Sequence, residues 1–227
     1  MTPSPRSIVV FLVAAASLAA GQAMAAPRGE ARAEGAALLA QAGATELFDN
    51  LSGDDASEIK LKHKASGLVC EFNLASPSNR IVVFDSATRG DEIACATGGE
   101  AGERTLYATH TPGRTLTEAF AHDLETVKKS HPGAVDYVLP PDADSPILQM
   151  LAQPPLPASK TARFIVDHQF TSVSSAVVKD WSLEFRYTCP EEHDDVAASA
   201  LQPTLWITIL AQISGAPIDL TSPKQAV

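Results

Sequence analysis

From about Glu58 onward the chain alternates apolar and polar residues with a period of two. In GLVCEFNL, Leu68, Cys70, Phe72 and Leu74 fall on one face, and Val69, Glu71 and Asn73 on the other. That pattern predicts a half-buried strand. RIVVFDS, DEIACAT and RTLYATH follow, separated by the turn-forming stretches SPSN, TRG and GGEAGE. Four short runs joined in this way predict an antiparallel meander.

The period then becomes helical. Thr115-Leu116-Thr117-Glu118 has the form of a capping box, with a hydroxyl for the free first-turn amides and a glutamate to reach back. Leu116, Phe120, Leu124 and Val127 recur at helical spacing, and His122 takes a solvated position. Lys128, Lys129 and His131 suit the negative end of the helix dipole, and Pro132-Gly133 ends the helix. Residues 139–160 hold six prolines, which excludes a central strand. They read as a long loop with a short helical turn at ILQML.

Strands resume in ARFIVDHQF, where Phe164, Val166, His168 and Phe170 share a face. In WSLEFRYTC the apolar face carries Leu183, Phe185, Tyr187 and Cys189, while Glu184, Arg186 and Thr188 take the other. Asp194-Asp195 open a weak helix through Leu201. A second helix follows, with Pro203 at its first position and Leu205, Trp206, Ile209, Leu210 and Ile213 along it. It is apolar nearly all round and is therefore expected to be buried. Residues 26–56, including the alanine-rich RGEARAEGAALLAQAG, read as an N-terminal helical arm, residues 57–216 as one domain and 217–227 as a flexible tail.

Strands and helices in separate blocks predict an α+β fold. It would consist of an antiparallel sheet with an amphipathic helix, a proline-rich loop and a buried C-terminal helix. The order TLTEAFAHDLETVKK, then strands ending in RYTCP, then ALQPTLWITIL resembles the PsbP-like family of extrinsic photosystem subunits and their bacterial relatives, over about residues 57–215. The resemblance implies a mostly non-catalytic protein that attaches to a larger assembly. HKASGLVCEF also resembles uncharacterised exported bacterial proteins.

The first 25 residues narrow the compartment. Arg6 precedes an uncharged apolar run from Ile8 to about Ala20, and Ala23-Met24-Ala25 provides a small-residue cleavage site. This is a secretory signal, too short for a comfortable membrane span. No cysteine follows the site to carry a lipid, and no later stretch is long and apolar enough to span a membrane. The expected location is periplasmic or secreted. A formal net charge of −10 makes nucleic acid a poor partner.

Export permits disulfides, and three cysteines leave one odd. Cys70 and Cys95 are the candidate pair, closing a loop worth about 3.5 kcal/mol by chain entropy. A sequential meander opposes this pairing, because their strands would flank RIVVFDS about 9.6 Å apart. Either the strand order is not sequential, or Cys189 is a partner, or all three are buried thiols.

The stretch YTCPEEHDD places Cys189 four residues before His193, near a zinc half-site spacing. No second pair exists, and the acids read as a turn and a helix start, so no metal is expected. Four carboxylates would also raise the pKa of a nucleophilic thiol. His168 interrupts an apolar face, as a core histidine or a binding residue. His63 lies among Lys60, Lys62 and Lys64, either an anion-receiving patch or the exposed face of an edge strand. His168 and His63 are thus the binding candidates. His110 ends a strand.

No nucleophile elbow, phosphate loop, zincin or dinucleotide motif occurs, so no catalytic residue and no cofactor is assigned. The expectation is a non-catalytic exported protein that binds a partner protein or a small ligand, or supports an envelope assembly. The alternatives are a hydrolase with dispersed catalytic residues and a metal binder using Cys189 and His193.

Overall fold

The computed structural model describes residues 29–99, 102–138, 156–190 and 195–215, with only the backbone of 195–202. The signal segment, most of the proline-rich loop with ILQML, His193 and the tail lie outside the described residues.

Among the described residues, three helices and two antiparallel sheets give the expected α+β class. Helix α1 (Glu30–Gln41) leads into β1 (Phe48–Asn50), β2 (Glu58–His63) and β3 (Val69–Asn73), which form a three-stranded sheet in that order. The segment read as an arm thus supplies α1 and β1, and Leu38, Leu39 and Phe48 sit in the main core. Gly35 lets the helix come close to this sheet. A Cβ there would lie 3.0 Å from Ile59 Cγ2 and 3.2 Å from Leu61 Cδ2.

The remaining strands are β4 (Arg80–Val83), β5 (Glu92–Gly99), β6 (Gly102–His110), β7 (Val135–Asp136), β8 (Ser159–Val166), β9 (Gln169–Val178) and β10 (Trp181–Pro190). They form a seven-stranded sheet ordered β4-β5-β6-β10-β9-β8-β7. The predicted meander therefore holds for β4 to β6, but β3 belongs to the other sheet. Sheet membership depends on distant pairing, which local alternation does not encode.

The large sheet has two unlike faces. Leu183, Phe185, Tyr187 and Cys189 point inward with Ile93, Ala108 and Phe170, against Ile59, Leu61 and Phe72 of the small sheet and Leu68 just before β3. Helix α3 (Asp195–Ser214) closes this core, with Trp206 stacked on Phe185 at a centroid distance of 6.1 Å. Two helices were expected here, but Pro203 lies inside one continuous helix.

Helix α2 (Leu116–Ser130) lies over the opposite face. Its capping box is present: Glu118 N–H donates to Thr115 Oγ1 (3.3 Å), and Thr115 N–H donates to Glu118 Oε2 (2.9 Å). Val127 packs with Phe164, Val166 and Val173 in a second, smaller core.

Candidate functional site

Each candidate residue except His193, which lies outside the described residues, has a definite place. Cys70 and Cys95 form a disulfide with their Cα atoms 6.0 Å apart. It ties β3 of the small sheet to β5 of the large one, which removes the objection based on a sequential meander. Cys189 is buried and outside the disulfide.

His168 does not sit on an apolar strand face. Val166 pairs with Gln169, so Asp167 and His168 form a two-residue turn, with φ of 47° and 62°. Asp and His are among the non-glycine residues that tolerate such left-handed positions. The chain reverses here and His168 is exposed. The turn also sends Phe170 to the main core, away from Phe164 and Val166.

His63 is not on an exposed edge face either; it is 1% exposed. Strand alternation places it with Ile59 and Leu61, while Lys60 and Lys62 point the other way. Its ring lies 5.0 Å from Phe48 and 5.5 Å from Trp181. Nδ1 accepts from the Ser66 amide at 3.3 Å and lies 2.9 Å from the Ser66 hydroxyl. Burial lowers its pKa from 6.5 to about 4, partly opposed by Asp91.

This Ser–His pair lacks the setting of a catalytic one. Ser66 Oγ also accepts the Leu68 amide (3.2 Å), which makes it a turn-stabilising group, and apolar rings shut the imidazole away. His110 Nδ1 lies 3.6 Å from Asp91 Oδ2, and its ring packs 5.1 Å from Trp181. Among the described residues no group of three or more potential metal ligands occurs.

The concentration of buried polar groups lies instead on the outer face of the large sheet. β10 presents Ser182, Glu184 and Arg186 there, and the register sets Tyr107 and Thr109 of β6 beside Glu184 and Ser182. Helix α2 adds Asp123. A cavity of about 370 Å³ opens between these elements. A second, of about 470 Å³, continues toward Thr188 and shares Tyr107 and Arg186 with the first. An apolar crevice beside α3 measures about 40 Å³, room for little more than a water.

Asp123 and Glu184 are each only 8% exposed. Burial pushes the Asp123 carboxyl up, partly opposed by the Ser175 hydroxyl, which donates to Oδ2 at 2.6 Å. Burial also pushes Glu184 up, against the pull of Arg186, whose Nε donates to Oε1. The Arg186 guanidinium stacks over the Tyr107 ring, 4.9 Å from its centroid. Burial raises the Tyr107 phenol as well.

Part of this site had a signal in the sequence. Alternation already separated Glu184 and Arg186 from the apolar face of β10. Asp123 falls three residues after Phe120 and four before Val127, on the apolar stripe of α2, where a carboxylate is out of place. The stripe of Leu116, Phe120, Leu124 and Val127 is continuous without it, which masks the cue.

No helix among the described residues is long and apolar enough to cross a membrane. Comparison with protein-family models, with curated proteins and with solved structures finds no match for this chain.

Proposed function

We propose that this is a non-catalytic exported protein that binds a small polar ligand in the groove between α2 and the outer face of β6 and β10. The observation that carries this reading is the cluster of two buried carboxylates, Asp123 and Glu184, with the half-buried Tyr107 and Arg186, lining a cavity of about 370 Å³. Buried ionised groups seldom stabilise a fold relative to apolar residues of similar size. Their convergence on an open cavity of ligand-binding size is the usual mark of a recognition site.

The disulfide and the signal-like N-terminus support an oxidising, periplasmic or secreted setting. The PsbP-like order of elements is consistent with attachment to a larger assembly. The groove favours the small-ligand reading over the partner-protein one, because its polar groups are recessed.

The test is a ligand-detected NMR screen of a polar metabolite library against the wild-type protein, Tyr107→Phe and Arg186→Gln. Binding weakened by either substitution supports the reading. Hits indifferent to both, or no hits, overturn it. Turnover of a general esterase, phosphatase or peptidase substrate panel at enzyme-like rates would overturn its non-catalytic part.

A further inference from the structure

The charges in the groove are unevenly matched. Glu184 is paired with Arg186 through Nε, but Asp123 has only the Ser175 hydroxyl, and among the described residues it makes no salt bridge. His122, Arg186 and Arg114 act on it only from beyond salt-bridge distance, so this buried carboxylate has no cation in direct contact. It faces the same cavity as Arg186.

Arg186 has the opposite spare capacity. Its Nε is used by Glu184, and the guanidinium lies over the Tyr107 ring, 4.9 Å from the centroid. Among the described residues no protein acceptor takes its terminal nitrogens, and none takes the Tyr107 hydroxyl. Both residues line the two cavities. A guanidinium held in this way is suited to two parallel hydrogen bonds with a carboxylate.

We infer that the groove binds a small zwitterion, a primary ammonium against Asp123 and a carboxylate against the outer edge of Arg186, the class of free amino acids and short peptides. This rests on the groove being the binding site, as proposed above. Three alternatives leave charge unbalanced. A simple anion meets Arg186 but is repelled by Asp123 and Glu184. A simple amine satisfies Asp123 but leaves the terminal nitrogens of Arg186 unmet. A neutral polyol leaves both residues as they are. Only a ligand with both charges completes the two half-satisfied groups together. The cavity of about 370 Å³ accommodates a molecule of this size.

Isothermal titration calorimetry of the full-length secreted protein tests this. The probes are the free amino acids and a set of dipeptides. Each is matched with the acid lacking its ammonium and the amine lacking its carboxylate. Neutral sugars and simple dicarboxylates complete the panel. Saturable binding of at least one zwitterion is expected, with both truncated analogues weaker by tenfold or more. Asp123→Asn keeps an acceptor for Ser175 and removes the charge, and should weaken the zwitterion at least tenfold. Arg186→Gln should do the same.

Thermal unfolding keeps the comparison interpretable: the ligand should raise the melting temperature of the wild type and not that of Asp123→Asn. If an ammonium-free analogue binds as tightly as the zwitterion, or Asp123→Asn keeps full affinity, the ligand class is wrong. Sugar or dicarboxylate binding that is lost in Arg186→Gln, without zwitterion binding, overturns the class but keeps the groove. No binding by any probe, or binding indifferent to both substitutions, overturns class and groove together.

Discussion

His63 should make this protein progressively less stable between pH 6.5 and pH 4. Its imidazole is 1% exposed and is enclosed by Phe48 and Trp181, so the cation is disfavoured in the fold. The folded pKa lies at about 4 against 6.5 for the open chain. In that interval the unfolded chain binds a proton and the folded one does not, so acid pulls the equilibrium toward unfolding. Above pH 6.5 both states are neutral and the penalty vanishes. At about 1.4 kcal/mol per pKa unit, the loss is roughly 0.8 kcal/mol at pH 6 and roughly 2.5 kcal/mol at pH 4.5.

Asp123 and Glu184 act in the opposite sense. Their pKa values are raised in the fold. As the pH falls they take up protons more readily in the folded state, which offsets part of the His63 loss. The wild-type curve alone therefore understates the effect, and the clean quantity is a difference between variants. His63→Phe fills the same space but removes the acceptor for Ser66, a loss of about 1–2 kcal/mol that does not depend on pH.

Urea unfolding followed by tryptophan fluorescence, at steps from pH 7.5 to 4.5, provides the comparison; Trp181 lies 5.5 Å from His63 and reports its surroundings. The stability advantage of the wild type over His63→Phe should shrink by roughly 2 kcal/mol or more across the series and can change sign. A difference that stays constant to within about 0.5 kcal/mol would refute the reasoning. It would mean that the imidazole is hydrated, or is accepted as a cation beside Asp91.

Gly102→Ala should cost about 2 kcal/mol or more in urea unfolding. Its φ is +127°, and a Cβ would fall 2.5 Å from the Thr188 carbonyl oxygen; a near-neutral result would contradict this. Replacing Cys70 and Cys95 together by alanine should lose roughly 2–4 kcal/mol, and a melting temperature unchanged in reductant would count against a stabilising bridge. Thr115→Ala should lose about 1 kcal/mol and speed amide exchange in the first turn of α2. Unaltered exchange there would show that the capping box does not hold that helix end.

Much of the local structure was legible because it depends on near neighbours. The capping box at Thr115 needs four consecutive residues. The alternation in WSLEFRYTC separates Leu183, Phe185, Tyr187 and Cys189 from Glu184, Arg186 and Thr188, as the structure does. His63 was equally readable, since Ile59, Leu61 and His63 alternate with Lys60, Lys62 and Lys64. The three lysines make the same segment resemble a basic patch, although alternation turns His63 to the opposite face. His168 was harder. Asp167-His168 lacks glycine, so a two-residue turn looks like a continued strand. The Cys70–Cys95 pairing required knowing that β3 and β5 lie in different sheets, which no local pattern specifies.

Strand β10 separates the two demands on this fold. Its inward residues, Leu183 to Cys189 in steps of two, build the core with the small sheet and α3. Its outward residues build the groove with Tyr107 and Asp123. A sheet required only to be stable would be served at least as well by apolar residues at 184 and 186 beneath α2, because an ion pair out of water seldom repays its desolvation. The small core of Val127, Phe164, Val166 and Val173 shows that α2 packs on the neighbouring strands largely through apolar side chains. Glutamate, arginine and aspartate replace valine and phenylalanine where the cavity of about 370 Å³ opens. The Asp123–Ser175 bond is a small structural return for three charged groups, whereas the proposed ligand recognition would use all of them, and this is the strongest ground for placing the proposed function on the outer face.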